Sequence, residues 1–206
     1  MKRIILILTL ILTLSACAYT EPDAMFTVTE IGFAVSGEKT ELILKINEQE
    51  KGRLISGQGE NAYEAFRAAA TKLEKKASFE HLQLIAVSEN LEGERLNDVL
   101  SFCEKRGAPL RTRLVYAENL QKILEENGNL LSLLKQGEAE FGFGGNTTLF
   151  EIETAILVND GDFALPYIKL SGEDIELCGL LRYKNNRLYK RLDINQSIKY
   201  KKEVLG

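Results

Sequence analysis

Histidine, cysteine and proline are scarce in this chain, whose 206 residues include one histidine, three cysteines and three prolines. The single histidine argues against a zinc enzyme, because zinc sites combine several histidine and cysteine ligands. The cysteines show neither a CxxC pair nor a Cys/His spacing, which excludes the common metal motifs. Few prolines and a hydrophobic content of 45% exclude a disordered tail and allow a buried core.

The signatures of common catalytic sites are also missing. Gly57-Gln58-Gly59 precedes a predicted helix, but it lacks the third glycine of a dinucleotide loop and the lysine of a P-loop. We interpret it as a tight strand-to-helix turn. His81 has no identifiable nucleophile or orienting group, so we interpret it as a structural histidine. No Gly-x-Ser-x-Gly motif is present, and we predict that the protein is not an enzyme.

The one long apolar run, Ile4 to Leu14, follows the basic residues Lys2 and Arg3 and leads into Leu14-Ser15-Ala16-Cys17. This layout is typical of a bacterial lipoprotein signal. The Cys17 thiol would take a diacylglyceryl group, a peptidase would cut after Ala16, and an N-acyl chain such as palmitate would complete the anchor. A plain secretory signal needs no cysteine here, and a transmembrane span needs about 20 apolar residues.

We therefore predict a signal peptide over residues 1–16, with Leu14, Ser15 and Ala16 as the lipobox and Cys17 as the site of lipid attachment. Two acyl chains would hold the protein durably on the outer face of the cytoplasmic membrane. We expect no cofactor beyond this covalent lipid. Without residues 1–16 the chain carries 24 basic and 30 acidic side chains, a net charge of −6. That charge argues against nucleic acid, or an anionic lipid surface, as the main partner.

Two cysteines remain, Cys103 on the apolar face of a predicted helix and Cys178 in a predicted strand. A disulfide between them is compatible with an exported protein. Burial as two free thiols suits their apolar neighbours, and we favour this second interpretation.

The pattern of apolar residues predicts an α/β (α+β) fold, with a mixed sheet, helices packed on it and hairpins at both ends. Residues 17–25 would form a tether, 26–192 the domain, and 193–206 a loose polar tail. The predicted strands cover 26–35, 40–47, 53–56, 82–87, 111–117, 164–170, 175–184 and 187–192. One predicted helix begins at Ala62, and others cover 93–106, 118–126, 130–136 and 147–158, with a flexible link over 141–145. A strand is the alternative for residues 147–158.

Several segments occur in an order that resembles a known family. They are the lipobox, Ser56–Gly59 leading into Ala62–Arg67, His81–Val87, Asp98–Phe102 followed by Arg106, Leu110 and Arg111, Leu165-Pro166, and the hairpin Gly179–Leu188. In this order they resemble the Ger(x)C proteins, the lipoprotein C subunits of spore germinant receptors. The family usually has Trp-Asp-Arg after the lipid cysteine, where this chain has Ala18-Tyr19-Thr20. A large C-terminal region follows the hairpin in the family, so this chain is expected to correspond to the N-terminal domain alone.

The resemblance implies a non-enzymatic subunit in spore germination, formed during sporulation and anchored outside the inner spore membrane. Its expected partners are a polytopic A-type subunit and a transporter-like B-type subunit, with no nucleic acid. A domain of this kind could act as an accessory or modulatory subunit, a degenerate paralogue or half of a split gene. The alternative is a solute-binding lipoprotein of an envelope transporter, although the chain is short for two lobes. An envelope enzyme is the third and least favoured interpretation.

Overall fold

A nine-stranded mixed sheet forms the centre of the protein in a computed structural model that describes residues 25–48, 51–88, 90–126, 130–142 and 147–205. The strands are β1 (Met25–Ser36), β2 (Lys39–Glu48), β3 (Lys51–Gly59), β4 (Lys76–Ser78), β5 (Leu84–Val87), β6 (Arg113–Ala117), β7 (Phe163–Ser171), β8 (Asp174–Lys184) and β9 (Arg187–Leu192). The helices are α1 (Ala62–Ala70), α2 (Glu94–Lys105), α3 (Leu120–Glu125), α4 (Leu130–Phe141), α5 (Leu149–Val158) and α6 (Ile194–Leu205).

The sheet is parallel in its middle and antiparallel at both sides. Its strand order is β3-β2-β1-β5-β6-β7-β8-β9, with β1, β5, β6 and β7 parallel to one another. Strands β2 and β3 at one side, and β8 and β9 at the other, pair with antiparallel neighbours. The predicted mixed sheet with hairpins at both ends is confirmed. The three-residue β4, which pairs with the start of β1, was not predicted.

Helices cover both faces of the sheet. Ile85 and Val87 of β5 join the larger apolar core, to which α1, α2 and α5 contribute. Leu84 and Ala86 point the other way and pack with α3 and α4. The nearly continuous apolar run over residues 82–87 predicts a central strand that is buried on both faces, and this prediction is confirmed.

Phe102 of α2 lies at the centre of the larger core. Its ring centroid lies 5.9 Å from that of Phe33 in β1, 5.2 and 5.6 Å from Tyr63 and Phe66 in α1, and 5.9 Å from Phe79 before β5. Three of these four pairs meet edge to face, a favourable arrangement for aromatic rings. One side chain therefore connects two helices with the sheet.

The first helix begins as predicted and lies close to the sheet. The Asn61 side chain accepts a hydrogen bond from the Glu64 backbone N–H at 3.0 Å, which caps the helix. Gly57 and Gly59 belong to β3 rather than to a turn. A Cβ atom on Gly57 would lie 2.3 Å from the Ala65 carbonyl oxygen and 2.3 Å from the Ala69 nitrogen, so only glycine permits this approach.

Pro166 lies inside the sheet, although the sequence predicts an edge strand or a strand start around it. Strand β7 pairs with β6 only from Tyr167 onwards, through Tyr116↔Tyr167 and Ala117↔Ile168. Pro166 precedes this ladder and pairs with Leu180 of β8 on its other side. Proline has no backbone N–H to donate, and at position 166 strand β7 has no partner from β6. The strand therefore tolerates proline there.

The adjacent Asn185 and Asn186 predict a two-residue turn between the last two strands, and the β8–β9 hairpin has this turn. Hydrogen bonds join its tip to the β5–α2 loop. Asn185 and Asn186 have φ angles of 52° and 59°, as a type I′ turn requires. The Gly93 N–H donates to the Asn186 carbonyl at 2.7 Å, and the Leu188 N–H donates to the Glu92 carboxylate at 2.7 Å. Further along, the Tyr183 ring stacks on Phe163 of β7 at 4.7 Å.

Two expectations at the ends of elements are wrong. The segment after Asp193 is not loose but forms α6, whose Ile194, Ile198 and Tyr200 pack against Leu180 and its buried neighbours. The helix predicted over 130–136 extends to Phe141, so the start of the predicted link is helical, and residues 143–145 of that link lie outside the described residues.

No helix among the described residues is both long and apolar enough to span a membrane.

Replacing Phe102 with alanine should destabilise the fold strongly. The change Phe102→Ala removes a fully buried ring with four aromatic neighbours, and such truncations cost about 3–5 kcal/mol. Equilibrium urea unfolding of the purified protein measures the change. The matched control is Leu157→Ala, because Leu157 is 84% exposed and its truncation should change the free energy of unfolding by less than about 0.5 kcal/mol. Equal effects of the two variants would contradict the central role of Phe102.

Candidate functional site

The predicted lipid site precedes the described part of the chain. Leu14, Ser15, Ala16 and Cys17 lie outside the described residues. The structure does define where the N-terminal segment enters the domain, because β1 begins at Met25 and pairs there with Lys76 of β4.

The side chains that could carry chemistry do not come together. His81 is exposed in the turn that the Leu82 N–H closes on the Phe79 carbonyl at 2.9 Å. Cys103 is fully buried in the larger core, as the sequence suggested. Across the described ranges, no group of three or more His, Cys, Asp or Glu side chains is arranged to hold a metal ion.

Both described cysteines are free thiols, as the favoured interpretation expects, but only Cys103 is buried and Cys178 is partly exposed. Burial is the main cause that raises the pKa of the Cys103 thiol, and the nearby Glu153 carboxylate adds to it. Burial also raises the pKa of Cys178, which is half-buried in β8 and donates to the Glu176 carbonyl at 3.6 Å. Neither thiol therefore has the thiolate character of a nucleophile at neutral pH.

A polar cluster joins β6, β7 and β9. The Tyr167 hydroxyl donates a short hydrogen bond to the carboxylate of Glu118, the residue after β6. The Arg191 guanidinium lies 4.4 Å from the centroid of the Tyr167 ring. Burial and the hydrogen bond to Glu118 raise the pKa of Tyr167. A phenol held protonated in this way connects strands, and the arrangement provides no activated nucleophile.

A small cleft lies between α5 and α6. Its volume is about 250 Å³, and Thr154, Asp162 and Lys201 are among its lining residues. The Asp162 carboxylate is already paired with Arg182, whose Nη2 atom lies 3.0 Å away. This volume lies below the range of roughly 300–1,000 Å³ that is usual for ligand sites. In addition, the domain has a single sheet rather than the two lobes that a solute-binding lipoprotein would use.

Helix α5 is apolar on its outer side as well as on its buried side. Phe150, Leu157 and Val158 are 57, 84 and 72% exposed, and their spacing places them on one side of the helix. We call these three residues the apolar face of α5. The sequence shows the buried stripe of this helix but not which apolar residues stay uncovered, since both sets have helical spacing. Exposed apolar side chains in a group are typical of interaction surfaces.

Comparison with known proteins gives one result. Residues 18–170 match the family model described as the spore germination protein N-terminal domain. The matched segment begins directly after Cys17 and ends at Leu170, inside β7. No curated protein and no solved structure matches the chain significantly.

Thiol labelling should separate the two described cysteines. In the native protein at neutral pH we expect slow modification of Cys178 and none of Cys103, because Cys103 is fully buried. In denaturing urea both should react rapidly, and peptide mass spectrometry identifies the modified residue. Cys178→Ser is the control, since it should abolish native labelling. Rapid native modification of Cys103 would contradict its place in the core.

Proposed function

Because the chain belongs to the family of spore germination proteins that this N-terminal domain defines, we propose that it is a lipid-tethered, non-enzymatic subunit of a germinant-receptor complex. The match over residues 18–170 is the observation that carries the proposal. It begins one residue after Cys17, the expected first residue of the processed protein, and it includes the structure from β1 into β7.

The proposed anchor is a diacylglyceryl group on the Cys17 thiol with an N-acyl chain such as palmitate on its amino group. It would hold the domain on the outer face of the inner spore membrane. The lipobox Leu14-Ser15-Ala16-Cys17 supports this proposal. The proposed partners are a polytopic A-type subunit and a transporter-like B-type subunit.

Surface features support a role in assembly rather than in catalysis. Leu157 and Val158, in the apolar face of α5, are exposed, while His81, Cys103 and Cys178 lie apart in separate parts of the described structure. A subunit of a receptor contributes contacts and position, and neither requires an activated side chain.

Affinity purification from detergent-solubilised spore membranes tests the assembly. The tagged protein should recover a polytopic subunit and a transporter-like partner, which mass spectrometry would identify. Recovery of an importer permease instead would favour the solute-binding alternative, and a protein without partners would contradict the complex. Leu157→Asp then tests whether the apolar face of α5 takes part, with Tyr189→Asp as the control because Tyr189 is a large apolar residue of β9 that is 62% exposed.

The lipid anchor has its own test in the mass of the mature protein. We expect the wild-type protein to start at Cys17 and to carry the acyl chains, whereas Cys17→Ala should keep residues 1–16, because the peptidase acts only after lipidation. Thiol counting in urea gives an independent measurement, since a lipidated Cys17 leaves only Cys103 and Cys178 reactive. Three reactive thiols, or normal processing of Cys17→Ala, would rule the anchor out.

A further inference from the structure

One edge of the sheet collects segments that are far apart in the chain. Because β1, β3, β5 and β6 run in the same direction, their first residues lie at the same edge. Helices α1 and α2 run back across the sheet, so their last residues lie there too. We call this the amino edge, and it includes Met25 and residues 72–83 and 104–113.

The amino edge is basic, although the whole chain has a net charge of −4. Residues 72–81 and 104–111 contain six exposed cations and three carboxylates. The cations are Lys72, Lys75, Lys76, Lys105, Arg106 and Arg111, and the carboxylates are Glu74, Glu80 and Glu104.

The opposite edge has the reverse charge. Around the ends of β1, β3, β5 and β6 and the tip of the β8–β9 hairpin, eight carboxylates accompany five cations. The carboxylates are Glu38, Glu41, Glu60, Glu64, Glu92, Glu94, Glu118 and Glu125, and the cations are Lys39, Arg95, Lys122, Lys184 and Arg187. The domain is therefore an electric dipole along the strands, and a negative surface would attract its amino edge and repel its other end.

The cations of the amino edge are held in place by contacts that keep their charge. The Lys75 ammonium lies 5.6 Å from the centroid of the Phe26 ring, and the Lys105 ammonium lies 5.8 Å from that of Tyr63. The Arg106 guanidinium lies 3.9 Å from the centroid of the Phe66 ring. Aromatic faces stabilise a cation without neutralising it.

Two large apolar side chains are exposed at the same edge. Leu110 and Phe150 are 51 and 57% exposed, and the Phe150 N–H donates to the Leu110 carbonyl at 3.0 Å. Arg106 and Arg111 flank Leu110 in the chain. Basic residues around exposed leucine and phenylalanine are the combination that binds the headgroup region of an anionic bilayer.

The position of the N-terminal segment indicates that the surface bound by the amino edge is the lipid bilayer. Met25 starts β1 at the amino edge, and the eight residues back to Cys17 span at most about 29 Å. We propose that the amino edge docks on anionic lipid headgroups, with Leu110 and Phe150 at the interface. This inference rests on the proposed lipid anchor, which would keep the amino edge on the side of the domain that faces the membrane.

The absence of tryptophan from the chain gives a direct test. Lipidated full-length protein with Phe150→Trp is reconstituted into vesicles whose lipids carry brominated acyl chains. In vesicles containing phosphatidylglycerol, bromine should quench the fluorescence about twofold or more relative to phosphatidylcholine vesicles, because the anionic surface attracts the edge. Leu110→Trp repeats the measurement at a second position, and Gln121→Trp at the other edge should stay unquenched.

Charge reversal provides the matched comparison. Lys75→Glu, Lys76→Glu and Arg111→Glu together should abolish the difference between the two vesicle compositions. Lys39→Glu, Arg95→Glu and Lys122→Glu change the net charge equally at the opposite side and should preserve it. If both triple variants behave alike, or if neither reporter is quenched in anionic vesicles, the docking inference is wrong.

The same vesicle preparation distinguishes a failure of the proposed lipid anchor from a failure of the proposed docking. A protein that lacks the acyl chains by intact mass and does not float with vesicles would overturn the anchor of the proposed function. A protein that carries the chains and floats, but shows no quenching of Phe150→Trp and Leu110→Trp, would overturn only the docking of the amino edge.

Discussion

The ring of Phe102 holds α1 and α2 against the sheet, and the amino edge depends on that packing. Phe102 touches Phe66 and Phe79, and the same group of rings supports Arg106. Edge-to-face contacts fix the orientation of each ring as well as its depth. The C-terminal end of α2, with Lys105 and Arg106, is therefore positioned by the core beneath it. A surface property of the domain thus follows from its most buried interaction.

Local patterns in the sequence predict the elements whose environment is local or uniform. The double-sided burial of β5, the Asn61 cap of α1 and the Asn185-Asn186 turn all follow from short-range rules. Elements that depend on partners distant in the chain cannot be predicted from such rules. Strand β4 exists because the start of β1 lies beside it, and α6 is ordered because Leu180 and its neighbours offer an apolar surface. The interior strand β7 tolerates Pro166 only because its pairing with β6 begins one residue later, at Tyr167.

The residues of the candidate sites also fall into a group that the sequence predicts and a group that it does not. The lipid residues are read from a contiguous motif, so the sequence alone suggests Cys17. The amino edge cannot be predicted from a contiguous motif, because Lys72 and Arg111 are far apart in the chain. Only the parallel order of β1, β5 and β6 brings their segments to one side of the sheet. A net negative charge predicts no attraction to anionic lipids, whereas the spatial separation of charge produces one locally. The exposure of Phe150 likewise depends on which side of α5 the sheet covers.

The attachment of the β8–β9 hairpin bears on how much of the chain an autonomous fold needs. The family model matches as far as Leu170, but β8 pairs along the whole of β7, and the hairpin tip bonds to Gly93 and Glu92 near the start of α2. Removing the hairpin would leave β7 with an open edge and uncover Phe163. It would also remove the buried side chains of Leu180, Leu181 and Tyr183. A fragment that ends at Leu170 would therefore lack part of its own core, and the boundary of the matched segment is not the boundary of the folding unit.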